Sequence, residues 1–386
     1  MPAKVRLVAI SSRTARRGGR AEGEETTVRT GIKTLTFVVG TGRSGSTALS
    51  QVLRLHPDVL SLNELYASID GPPALSEQPL TGEEFWRCLR EPMPVFDTMV
   101  RSGTPLPEFI YSRHPEWRYD AETTGIPAIS MMALPHLSDD PDAFLDALEP
   151  EVRGWPERPA PQQWHALFGA IASRIGGREA AVERSGYSLH RVGLLHRLFP
   201  EARFVHLYRH GPDCALSMSR HNGYRMISLL REIVRRSGVE SASELTDDHI
   251  KQLPDDLAPL LSPRYDPSLV LDREMPVPEF GTLWSELVCE GVESLSEIPA
   301  GQRTSLSYER LLDAPRQELA RLADFIGVQP FAEWLEEGDE LLDGTGRLGS
   351  SLRLPERVLA ELRENCARGE EALGVSGSDS PRLPQS

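Results

Sequence analysis

One stretch, Gly40-Thr41-Gly42-Arg43-Ser44-Gly45-Ser46-Thr47, constrains the fold of this chain more than any other. The apolar run Leu35-Thr36-Phe37-Val38-Val39 precedes it and reads as a buried strand. After it, Ala48, Leu49, Val52, Leu53 and Leu55 recur at helical spacing until His56-Pro57 stops the helix. A strand, a glycine-rich turn and a helix in that order bend the backbone so that consecutive N–H groups point at one spot. The helix N-terminus adds its positive dipole end, and together they form an anion site. The spacing is that of the phosphate loop G-x-x-x-x-G-K-[ST], with Ser46 standing where the lysine belongs.

Further apolar runs follow the same logic. Val59-Leu60-Ser61-Leu62 ends at Asn63-Glu64, Ala180-Ala181-Val182 at Glu183-Arg184, Arg203 to Tyr208 at Arg209, and Thr304-Ser305-Leu306 at Ser307-Tyr308. Strands alternating with helical patterns predict an α/β fold: a P-loop-type, doubly wound parallel sheet flanked by helices. Ligands of such sheets bind beyond the carboxyl ends of the strands, which places Gly40, Glu64, Arg184, Arg209 and Tyr308 on one rim.

The chain has 386 residues, enough for one large α/β domain with insertions. Residues 1–30 read as a flexible leader, 31–375 as a single domain, and 376–386 as a flexible tail. Segments 67–178 and 223–302 read as largely helical insertions that form a lid on the acceptor side. The formal net charge of −15 argues against broad binding of nucleic acid or anionic membranes, so an anionic ligand needs a local pocket. The four cysteines (Cys88, Cys214, Cys289 and Cys366) lie far apart and read as isolated thiols. No integral membrane segment and no signal peptide is expected, and a cytoplasmic location follows by default.

The second anion anchor is Tyr208-Arg209-His210-Gly211-Pro212-Asp213, with Ser217 eight residues after Arg209. An arginine at a strand end and a serine about two helical turns on can converge on one phosphate, a charged fork beside a hydroxyl. A nucleoside triphosphatase or nucleotide kinase is the competing reading. It needs the missing lysine and a magnesium-binding Asp at a later strand end, where this chain has Arg209. No metal is implied. Two phosphate sites on one rim suit a nucleotide with a 5′ phosphosulfate and a separate 3′ phosphate.

At these residues the sequence resembles the family of sulfotransferases that use 3′-phosphoadenosine-5′-phosphosulfate (PAPS). Gly42-Arg43-Ser44-Gly45-Ser46-Thr47-Ala48-Leu49 is similar to the family's 5′-phosphosulfate loop, in the arginine-containing version of carbohydrate and bacterial members. Phe199 to Arg209, with Ser217, is similar to the 3′-phosphate motif. Tyr308-Glu309-Arg310-Leu311-Leu312 followed by Phe325-Ile326-Gly327 is similar to a downstream block whose tyrosine lies near the adenine. The likeness covers roughly residues 34–66, 180–222 and 303–328. It departs at Glu183-Arg184-Ser185-Gly186, where related bacterial proteins commonly carry Lys-[ST]-Pro. Gly344-Thr345-Gly346-Arg347 is a loose counterpart of the family's late basic loop, which assigns Arg347 to the 3′ phosphate.

The resemblance implies transfer of a sulfuryl group from PAPS to a hydroxyl or amine, with release of 3′-phosphoadenosine-5′-phosphate (PAP). Arg43 and the loop N–H groups face the leaving phosphate, and Ser44, Ser46 and Thr47 offer hydroxyls. Glu64 is the candidate base, with Glu183 and His190 as rivals. Arg184 either steadies the sulfonate oxygens or pairs with Glu183. The acceptor is a small molecule, a glycan or a lipid. A non-catalytic binder of phosphoadenosine nucleotides is the remaining alternative. Trp86, Phe109, Tyr111, Trp117, Trp155 and Trp164 read either as core or as the lining of an acceptor cleft.

Overall fold

The computed structural model describes residues 31–69, 71–342 and 348–374, so the expected leader and tail, together with Arg347, lie outside the described residues. Five strands, β1 (Thr34–Val39), β2 (Val59–Asn63), β3 (Ala180–Arg184), β4 (Arg203–Tyr208) and β5 (Arg303–Ser307), form one sheet in the order β2-β3-β1-β4-β5. Every pairing in it is parallel. The helices that frame the site are α1 (Ser46–Leu55), α2 (Pro94–Arg101), α3 (Ala160–Arg174), α4 (Val192–Leu198), α5 (Gly211–Ser219) and α6 (Asn222–Ser237). Behind these lie α7 (Val277–Ser296), α8 (Pro315–Ile326), α9 (Ala332–Leu342) and α10 (Glu356–Leu373).

The sheet is covered on both faces, which is why its strands read as near-continuous apolar runs. Successive side chains of a strand point to opposite faces, and the two cores divide accordingly. Val38, Val182 and Val205 pack with Leu49 and Val52 of α1, Leu322 of α8 and Trp334 of α9. Phe37, Leu62 and Phe204 pack with Trp164 of α3, Val192 of α4 and Trp284 of α7. Burying a side chain of this size stabilises the fold by about 1.5–3 kcal/mol, so the sheet is a rigid base for whatever its rim carries. His56 ends α1 where the sequence suggests. Its Nδ1 accepts the Asp58 N–H at 3.1 Å, which leaves Nε2 as the donor to the Gln329 carbonyl oxygen at 2.9 Å.

The two long insertions pack on each other. Met99, Phe109, Ile126 and Met132 from the first meet Met226, Leu229, Ile233 and Leu260 from the second in a core of their own. This smaller core stands against the carboxyl end of the sheet and leaves a cavity between them. Of the six aromatic residues that could have lined a cleft, Trp86, Phe109, Tyr111 and Trp164 are buried in cores. Trp117 and Trp155 are half-buried against those cores, and none of the six lines that cavity. No described helix is long and apolar enough to cross a membrane.

Candidate functional site

The loop after β1 is shaped by three left-handed residues, Gly42 (φ 74°), Arg43 (φ 58°) and Gly45 (φ 85°). A side chain at Gly45 would meet the Tyr308 ring, and one at Gly42 the Tyr224 hydroxyl, so the loop is wedged between two buried tyrosines. Tyr224 also donates its hydroxyl to the Thr41 carbonyl. From below, the Cys214 thiol and the Ser44 hydroxyl each donate to the Gly42 carbonyl, both at 3.2 Å. Burial pushes the Cys214 thiol above its ordinary range, which keeps it a neutral donor. Ser44 therefore braces the loop from inside. Ser46 lines the cavity, and Thr47 is exposed on α1. The first turn of α1 has no side-chain cap and no acidic residue, so its leading N–H groups and dipole face the loop's concavity.

Arg43 and Glu64 are the only non-glycine residues with positive φ among the described residues, at 58° and 53°. An L-residue in that region costs roughly 1–2 kcal/mol, and strain of this kind collects at functional sites. Arg43 Nε donates to Ser217 Oγ at 3.2 Å, and Nη1 reaches Glu108 Oε1 at 3.4 Å. Arg209, buried at the end of β4, donates from Nη1 to the Arg43 carbonyl at 3.4 Å. Its guanidinium carbon lies 5.2 Å over the Tyr308 ring, and its Nη2 is 3.7 Å from Asp213 Oδ2. Arg43, Ser217, Arg209 and Tyr308 thus form one group around the loop. Tyr308 is buried under it, with its ring against Gly45 and Arg209.

Glu64 caps the short helix Leu65–Ser68, and its left-handed backbone turns the carboxylate into the cavity. Arg184 pairs with it through Nη1, and the Gly186 N–H donates to Oε2 at 2.8 Å. The same Nη1 is 3.4 Å from Ser46 Oγ, while Arg184 Nε donates to Ser50 at 2.7 Å. Arg184 therefore ties the β2 carboxylate to the loop helix, and its carboxylate partner is Glu64, not the adjacent Glu183. Burial raises the Glu64 carboxyl above its ordinary value; the Arg184 charge and the Gly186 N–H offset part of that.

The rival bases part company here. His190 lines the cavity, with its ring 4.5 Å from that of Tyr187. Glu183 does not line it, and instead accepts from the Ser185 hydroxyl at 2.6 Å and the Tyr66 N–H at 3.3 Å. Burial lifts Glu183 from 4.5 to about 7, against those two hydrogen bonds. A carboxyl whose pKa rises on folding contributes its stability below pH 4.5 and loses it as pH climbs through about 7. Glu183→Gln should remove this dependence. Between pH 5 and pH 8 its stability should gain on the parent's by up to about 3 kcal/mol, as read by urea unfolding. Parallel pH profiles would show that Glu183 does not titrate there.

Sequence reasoning missed several participants. Glu108, from the first insertion, joins Arg43 to His221, whose Nε2 is 3.1 Å from Glu108 Oε2. Burial pushes the Glu108 carboxyl up, but the His221 hydrogen bond and charge, with the Arg43 charge, hold it below its ordinary value. Asp213 accepts from the Gly349 and Ser351 N–H groups, each at 2.7 Å, and so brings the late segment beside Arg209. Asp213 could have been found from its place four residues after Arg209 on a helix start; nothing around Glu108 marks it in the sequence. Among the described residues no group of three His, Cys, Asp or Glu is arranged to hold a metal ion.

Residues 98–253 match the model of the sulfotransferase family. That stretch holds β3, β4, Arg184, Arg209 and Ser217, whereas the glycine loop after β1, Glu64 and Tyr308 lie outside it. The chain resembles the sulfotransferase domain of the Synechococcus PCC 7002 olefin synthase at 16% identity and a TM-score of 0.41, over 92% of this chain and 97% of that one. It also resembles a sulfotransferase of Mycobacterium avium at 14% identity and a TM-score of 0.43, over 89% of this chain and 78% of that one. No curated protein matches the sequence at a significant level.

Proposed function

We propose that this chain, a sulfotransferase-family protein by its match over residues 98–253, moves a sulfuryl group from PAPS to a hydroxyl acceptor. The observation that carries the reading is Arg184, whose Nη1 lies between Ser46 of the phosphate loop and the buried carboxylate of Glu64. An anion site, a cation and a buried base meet there at one cavity end. The residues suit the donor nucleotide: a glycine loop with open N–H groups, two arginines and a serine hydroxyl answer to two separate phosphates. When bound, the nucleotide supplies a sulfuryl group on a phosphate leaving group. Arg43 and the loop N–H groups balance the charge that builds on that phosphate. Arg209 and Ser217 hold the 3′ phosphate, and Tyr308 supports Arg209 from below on the adenine side. Glu64 accepts the acceptor's proton as the new O–S bond forms, and Arg184 faces the sulfonate oxygens.

Incubation with PAPS and a panel of hydroxyl compounds, in the presence of a chelator, tests this reading. PAP should accumulate only with a suitable acceptor present. Hydrolysis of ATP that requires magnesium, with no turnover of PAPS, would overturn it.

The pH profile gives an independent check. Glu64 must be ionised to act, so kcat/KM should fall on the acid side through a pKa above the ordinary carboxylate range. Arg184→Met removes the charge that holds this pKa down, so the acid limb should move to higher pH. An unmoved limb would separate Arg184 from the base.

A further inference from the structure

The cavity that opens onto Glu64 and Ser46 has a volume of about 330 Å³. At the packing density of protein interiors it holds on the order of a dozen non-hydrogen atoms. Its wall away from the loop is apolar, built from Phe96, Leu106, Ile227, Leu230 and four methionines, Met93, Met99, Met132 and Met226. Val95, 39% exposed, stands at its edge.

The polar groups on the wall are largely engaged within the protein. Glu108 is held by Arg43 and His221, the Tyr224 hydroxyl by the Thr41 carbonyl, and Arg191 Nη1 by the Tyr66 carbonyl at 2.6 Å. A polyhydroxylated acceptor would give up its water and find few partners, and each unpaired hydroxyl would cost affinity. An apolar body with one hydroxyl loses nothing on such a wall. Methionines adapt to bodies of different outline, because the thioether chain is unbranched and polarisable.

We infer that the acceptor is an apolar alcohol or phenol of at most about a dozen non-hydrogen atoms, since the loop end of the cavity is shared with the donor, buried among the methionines with its single hydroxyl turned to Glu64. A glycan does not suit this wall. The inference rests on the sulfotransferase reading for the reaction, but not for the cavity itself.

The test is calorimetric titration of the full chain with 1-naphthol and, separately, with the disaccharide cellobiose, each with and without PAP. 1-Naphthol should bind at one site and cellobiose should not. Leu230→Glu, on the cavity wall, and Val95→Glu, at its edge, should each weaken 1-naphthol binding at least about tenfold by placing a charge in the apolar body's path, with PAP affinity kept. Turnover with PAPS should then give naphthyl sulfate. Cellobiose binding without 1-naphthol binding, or 1-naphthol affinity unchanged in both variants, would overturn the inference. PAP binding intact with 1-naphthol rejected would sink the acceptor class and leave the donor reading standing. 1-Naphthol bound in the cavity by a chain that ignores PAP would do the reverse.

Discussion

Glu64→Gln is expected to lower kcat by about 10²–10⁴-fold, the range for removing a positioned general base. The carboxylate lines the cavity in a strained left-handed residue, and its two oxygens face the Arg184 guanidinium and the Gly186 N–H. An amide offers only one acceptor oxygen to those two donors, and it takes up no proton at neutral pH. The residues proposed to hold PAP are others, so its affinity should stay within a few fold. The acid limb of the pH profile should disappear with the carboxylate, and Glu64→Asp should restore part of the rate with the limb present. A Gln variant that turns over near the parent rate would remove Glu64 from the mechanism and make His190, the other candidate on the cavity wall, the next residue to test.

Arg43→Ala should cost about 10²–10³-fold in kcat, as the loss of one preorganised donor to a developing charge does. Arg43 links Ser217, proposed to hold the nucleotide, to Glu108 on the cavity wall. Alanine would also release Ser217, so PAP should bind more weakly. Arg43→Lys should recover little, because an ammonium cannot reproduce a fork that reaches Ser217 and Glu108 at once. Single-turnover rates at saturating donor separate the two effects. A loss confined to KM would mean that Arg43 binds the ground and transition states equally and adds nothing specific to the transition state.

Much of this site is legible in the sequence because its anchors are tied to strand ends. Gly40, Glu64, Arg184 and Arg209 each follow an apolar run, and a parallel sheet must bring such ends to one rim. The glycine loop after β1 is readable for the same reason, since its glycines are demanded by backbone geometry at Gly42 and Gly45. What strand order does not settle is which way a side chain turns. Glu183 and Arg184 are neighbours on β3 and point to opposite faces, so Arg184 reaches Glu64 while Glu183 turns to Ser185 and Tyr66. Nor does the sequence reveal partners delivered by insertions. Glu108 lies 65 residues from Arg43 in a segment without strand periodicity, and only the packing of the two insertions on each other places it. The same packing places Trp86, Phe109, Tyr111, Trp117, Trp155 and Trp164 in or against cores, while Phe96 and four methionines line the cavity.

The donor nucleotide is the central claim, and calorimetric titration with PAP in the absence of magnesium, beside AMP and ATP, tests it most directly. Binding that needs the 3′ phosphate and weakens about 10–100-fold in Arg209→Ala is the expected result, the measure of a charged hydrogen-bonding partner lost. ATP preferred over PAP with magnesium required, or PAP affinity indifferent to Arg209, would contradict it and give the loop to a different nucleotide.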